Sequence, residues 1–168
     1  AGTLIIQDYQ GRMQPLDTLT RALVRKITKQ FSVEGYQPTD LYLSWLANPQ
    51  YWWEKPLLYV RFPGLKERLG VEGAVTHVSA RSLFDSSGNY RLENEVAEAY
   101  RTPDRDRSKL QRKLMAFDER LNMIFLAVRG KSFRVFPLPG DANQTWANGD
   151  DAVVQVRETE RGRYQTAY

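Results

Sequence analysis

Cysteine is missing altogether from the 168 residues, and histidine occurs once, at His77. The first absence excludes disulfides, thiolate catalysis, Cys-based zinc sites and c-type haem attachment on this chain. It leaves the compartment open, because cytosolic and periplasmic domains can both lack cysteine. The single histidine, set between Val75 and Val78, excludes a His–His metal pair, a two-histidine haem ligand set and an HExxH zinc site, and reads as a structural or surface residue. No run of about 18 apolar residues occurs, so no segment reads as a membrane span. The opening "AGTLIIQ" has neither the basic start nor the apolar length of a signal peptide and no initiating Met, and predicts an excised or processed piece of a longer chain. Nucleophile-elbow, Walker and G-x-G-x-x-G motifs are absent, which leaves hydrolase and nucleotide-binding readings without a motif.

What is present points to a globular domain. Apolar residues make up 42%, and 4 Trp, 9 Tyr and 7 Phe can fill a core. A net charge of +4 admits acidic partners, yet the 24 basic and 20 acidic residues are mostly interleaved, the pattern of a solvated surface. Carboxylates alternate with Lys and Arg in "DRDRSKLQRK" and "FDERL", which suits helix-surface pairs and not a glycosidase dyad. "NGDD" at 148–151 lacks the remaining ligands of a calcium loop and reads as a loop or helix start.

The periodicity predicts a mainly α fold: a single helical domain over 1–150 with a small β element, then a truncated helix or linker over 151–168. Short strands are expected near 3–7, 57–62 and 132–136, the last pairing with either of the others. Leu16, Leu19, Leu23 and Ile27 mark a first amphipathic helix, with Pro15 directing it and Asp17 or Thr18 as its cap. Its outer face carries Arg21, Arg25, Lys26 and Lys29, placed to meet an anionic membrane surface. Pro38 opens a second helix with Leu41, Tyr42, Trp45 and Leu46 on one side. The clearest element is a long amphipathic helix near 104–129, whose Leu110, Leu114, Phe117, Leu121, Ile124 and Val128 fall at 4-3-4-3-4 spacing, stopped by Gly130.

Three stretches carry the functional reading. "QDYQGRMQPLDTLTRALVRKIT" is followed by "YQPTDLYLSWLANPQYWWEKPLLYV", and "FRVFPLPGDANQTW" lies further on. Together they resemble the extracytoplasmic region of System II cytochrome c biogenesis proteins, the ResB/CcsA-type fused haem lyases. The matching positions are Gly11, Arg12, Pro15, Leu16, Asp17 and Thr18, then Asn48, Pro49, Trp52 or Trp53 and Pro56, and finally Phe136 to Pro139 with Trp146. The resemblance implies a domain on the periplasmic side of the cytoplasmic membrane, anchored through a parent chain. That parent exports haem and attaches it to apocytochrome c through membrane-embedded histidines and a Trp-rich loop that this chain lacks. No cofactor is therefore expected here, and the expected role is to organise apocytochrome c or other maturation subunits, without catalysis of its own. Haem binding or an enzymatic activity in its own right is the alternative, as is a basic nucleic-acid or signalling module. Nucleic acid is not expected as a partner, since single-strand binding wants more aromatic residues among the basic ones.

Gly11, Arg12, Pro15, Asp17 and Thr18 are read either as architecture, with Arg12 paired to Asp8 or Asp17, or as a partner site in which Arg12 anchors a carboxylate or haem propionate. Trp52, Trp53 and Trp146, rimmed by Arg61 and Arg134, are read as an aromatic ledge for an extended peptide, provided that the 48–62 and 133–146 segments lie side by side.

Overall fold

Ser108 begins the longest helix with a capping box: its Oγ accepts from the Gln111 amide at 3.1 Å, and the Gln111 side chain accepts from the Ser108 amide at 2.8 Å. That helix, α6, runs over Lys109–Val128 and buries Leu114, Phe117, Leu121 and Ile124, the middle of the predicted seam. It starts later than position 104 because Asp104–Asp106 forms a separate 3-10 turn before it. The computed structural model describes residues 3–8, 10–138 and 145–154. Within these the protein is mainly α-helical, with three short two-stranded antiparallel sheets.

Around α6 pack α1 (Leu16–Thr28), α2 (Pro38–Ala47) and α5 (Glu93–Arg101), with α3 (Pro49–Trp53) and the short α4 (Pro63–Leu69) completing the set. Pro38 takes the first turn of α2, where its missing N–H costs nothing, and Leu41, Tyr42 and Trp45 face inward. α1 ends at Thr28, with Lys29 in the left-handed region at φ 59°; the "EGY" stretch forms a separate turn bridged by Val33 and Tyr36. The core is one cluster in which Ile6, Leu16, Val24, Ile27, Trp45, Trp52 and Phe117 are buried. Burying side chains of this size at roughly 1.5–3 kcal/mol each is what holds the helices against their conformational entropy.

β1 (Ile5–Gln7) pairs with β2 (Met13–Pro15), a strand that periodicity did not show because three residues are too few. β3 (Pro56–Tyr59) pairs with β4 (His77–Ser79), and β5 (Phe136–Pro137) with β6 (Trp146–Ala147). The strand expected near 132–136 is therefore confined to its end. After Gly130, at φ 68°, the chain makes a tight turn in which the Lys131 and Ser132 amides return to the Leu126 carbonyl. Its partner is neither of the expected strands, although the Gln7 amide donates to the Arg134 carbonyl at 3.0 Å. Residues 149–154 are helical again, and the rest of the expected terminal helix lies outside the described residues.

Candidate functional site

The loop between β1 and β2 is organised by Asp8, a residue that sequence reasoning named only as an ion-pair partner. Its carboxylate accepts from the Gln10 amide at 2.8 Å, the Arg12 amide at 3.0 Å, Arg12 Nε at 3.0 Å and Gln14 Nε2 at 3.2 Å. Burial alone would raise its pKa, but the backbone bonds from Arg12 and Gln10 and the Arg12 guanidinium outweigh that and hold it below the ordinary value. Gly11 sits at φ 79° with open space where a Cβ would be, so the constraint is conformational. The Arg12 side chain is 71% exposed and pairs with Asp8, not Asp17.

Pro15 occupies the cap position itself, and neither Asp17 nor Thr18 caps α1; no side-chain cap bond is made there. Asp17 lies in the first turn, where its carboxylate accepts from Arg21 Nε at 2.6 Å and from Thr39 Oγ1 at 3.2 Å, tying α1 to the start of α2. Thr18 is exposed. The predicted motif residues thus sit together at the start of α1, with local bonds that build the turn.

The tryptophans separate. Trp52 is buried and donates from Nε1 to Ser44 Oγ at 2.8 Å, with Tyr36 and Tyr51 edge-on to its ring, so it cannot line a surface ledge. Trp53 is half-buried against Phe84 and Phe125, its ring centroid 4.8 Å from that of Phe125. A surface hollow there is bordered by Arg81, Arg129 and Glu54, not by Arg61 or Arg134. Trp146 is half-buried in β6 beside β5, and its amide donates to Gln7 Oε1 at 2.7 Å. Each expected half of the ledge pairs with a different strand, β3 with β4 and β5 with β6, so strand pairing does not set them side by side.

His77 is structural: Nε2 donates to the Thr28 carbonyl at 2.7 Å, which can only accept, and Thr76 Oγ1 lies 3.0 Å from Nδ1. It pins β4 to the end of α1. Among the described residues no group of His, Asp and Glu is placed to hold a metal ion, and no helix is long and apolar enough to cross a membrane.

One cleft gathers residues from β3, the loop after it, α4 and α6. It has a volume of about 360 Å³, a floor of Val60 and Leu65, and walls that include Tyr59, Phe62, Arg61, Lys113 and Arg120. No carboxylate lines it. Among the described residues none of its three cations is in an ion pair. Arg120 is half-buried; Nε donates to the Lys26 carbonyl at 3.1 Å and Nη1 to the Tyr59 carbonyl at 3.4 Å, while the guanidinium lies 6.0 Å from the Tyr59 ring centroid. Its chain neighbour Glu119 is paired with Lys26. Burial depresses the pKa of Arg120, as expected of a cation that has traded water for two carbonyl oxygens. Of these residues, sequence reasoning singled out only Arg61. Lys113 and Arg120 lie in a long helix whose polar positions all look alike, and only the packing of α6 against β3 brings them to one place.

No family model matches the chain. It is 32% identical over 159 residues to Protein NrfI of Wolinella succinogenes, an alignment that covers 95% of this chain and 18% of that protein. The chain is thus homologous to a segment of Protein NrfI and spans less than a fifth of its length.

Proposed function

We propose that this chain is the extracytoplasmic interaction domain of a cytochrome c biogenesis protein of the ResB/CcsA type. The observation that carries the reading is the homology to Protein NrfI over 95% of the chain, which supports a cytochrome c biogenesis protein and agrees with the resemblance of the Gly11–Thr18 and Asn48–Pro56 motifs. In this reading the domain lies on the periplasmic side of the membrane and is anchored through the parent chain. It contributes no catalytic group and no cofactor of its own; haem is handled by the rest of the parent. Its partners are apocytochrome c or other maturation subunits. The tight internal bonding of the β1–β2 loop and of the start of α1 favours a rigid platform, since a loop whose donors are already satisfied keeps its shape when a partner arrives.

The test is in-frame removal of this segment from the parent gene. The parent protein should still accumulate on immunoblots, while covalent haem staining of c-type cytochromes is lost. Full haem staining by an accumulated parent lacking the segment would refute the reading.

A further inference from the structure

The Arg61–Arg120 cleft gathers three cations and no carboxylate among its lining residues. Lys26, Lys55, Arg21, Arg68, Arg107 and Lys131 each hold a carboxylate. Arg61, Lys113 and Arg120 instead share a cavity with two aromatic rings and an apolar floor, and with no acid. Pairing all three with water leaves the half-buried Arg120 poorly solvated, so a bound anion would gain more there than at an open surface. The comparable hollow beside Trp53 is weaker in this respect, because Glu54 stands among its arginines.

The cleft is also elongated. A second cavity of about 370 Å³ meets the first at Arg61 and Pro63 and is lined further by Val71 and Gly73. Its Lys66 is buried, and Nζ donates to the Gly73 carbonyl. Glu67 adds a negative charge on that side. The first lobe therefore has three cations and no acid, whereas in the second Glu67 offsets part of the charge of Arg61 and Lys66. A long groove with charge at one end suits an extended chain better than a compact ion.

We propose that this groove is the docking site for an acidic segment of a partner polypeptide, one carboxylate seated among Arg61, Lys113 and Arg120 and a neighbouring apolar side chain against Tyr59 and Phe62. It rests on the reading of the domain as a platform for a polypeptide partner. Arg120 is the preorganised donor, because Tyr59 and Lys26 already fix its plane. Arg61 and Lys113 are exposed and supply attraction on approach, with the salt sensitivity that exposed charges bring.

The experiment is fluorescence anisotropy of the 168-residue chain with a labelled peptide of alternating Glu and Phe, compared with the same peptide carrying Gln for Glu. The wild-type chain should bind the Glu peptide and not the Gln peptide, and binding should weaken with salt. Arg61→Gln/Lys113→Gln should lose at least about tenfold in affinity, since each charge-assisted hydrogen bond is worth about that factor. Both positions are exposed, and near-ultraviolet circular dichroism confirms that the variant is folded. Equal binding of the two peptides, equal binding by the two proteins, or no binding at all overturns the proposal. So does binding that is confined to phosphatidylglycerol vesicles and lost in the double variant, which would assign the cleft to a membrane surface. Haem staining separates this from the broader reading. If cytochrome maturation needs the segment but tolerates Arg61→Gln/Lys113→Gln, only the cleft assignment falls; if it never needs the segment, the platform reading falls whatever the peptide does.

Discussion

Asp8 and Arg12 show why a charged pair is not a unit. The carboxylate is buried and satisfies two backbone amides, whereas the guanidinium is mostly exposed and makes one bond of its own. Removing the acid takes the acceptor from the Gln10 and Arg12 amides, Arg12 Nε and Gln14 Nε2 at once. Removing the base costs only an exposed pair, about 1 kcal/mol or less. Asp8→Ala should therefore lower the midpoint of urea unfolding clearly, while Arg12→Ala leaves it nearly unchanged. A reversed order would show that the loop is held by Arg12 and not by the carboxylate. If Arg12→Ala folds normally yet impairs cytochrome maturation, Arg12 has a partner-facing role besides its structural one.

Among the elements, α6 depends most on its first turn. Ser108 and Gln111 satisfy two amides that would otherwise lack acceptors, and Gln111 Nε2 also donates to Thr102 Oγ1 at 3.0 Å, linking the cap to the end of α5. Ser108→Ala should destabilise the chain by about 1 kcal/mol. The effect should also appear locally, as faster amide hydrogen exchange in the first turn of α6 than in its middle. Uniform exchange along the helix would show that the core, which buries Leu114 to Ile124, controls that end as well.

For the whole molecule, titration acts in two directions. Asp8, Asp17, Glu34, Asp85 and Asp151 all have pKa values below their ordinary ones, so the stability they contribute is present above those ordinary values and is lost as pH falls through the lowered ones. Asp8, the buried member, should carry most of this; the others are more exposed and screened. Asp118 runs the other way. It lies on α6 facing α5 and is raised by burial, which the Tyr100 hydroxyl, the Asn122 amide and the Tyr90 hydroxyl only partly offset. Its contribution is therefore favourable below the ordinary 3.8 and is lost as pH rises through the raised value. The bonds from Tyr100 Oη at 3.4 Å and Asn122 Nδ2 at 3.0 Å both go to Oδ2, so an asparagine can keep both with its Oδ1. Asp118→Asn should raise the thermal midpoint at neutral pH, with the gain shrinking toward pH 3.8 and below. A gain that grows on acidification would contradict this sign.

The sequence by itself determined most of the helices. The spacing of Leu114 to Ile124, Pro38 at a helix start and Gly130 after a helix end are local signals, because a helix is closed by bonds between residues four apart. The Gly11–Thr18 motif was legible in the same way, as a contiguous string, and so was its turn. The pairing of the short strands was not, since their ladder bonds join positions such as Phe136 and Ala147 that no local pattern connects. The same limit explains the tryptophans, whose exposure depends on Ser44, Phe84 and Phe125 arriving from other elements. Only the tertiary structure decided that Arg61, Lys113 and Arg120 face one another without an acid. Electrostatics depends on distance through space, and the 58 positions between Arg61 and Arg120 say nothing about that distance until β3 packs on α6.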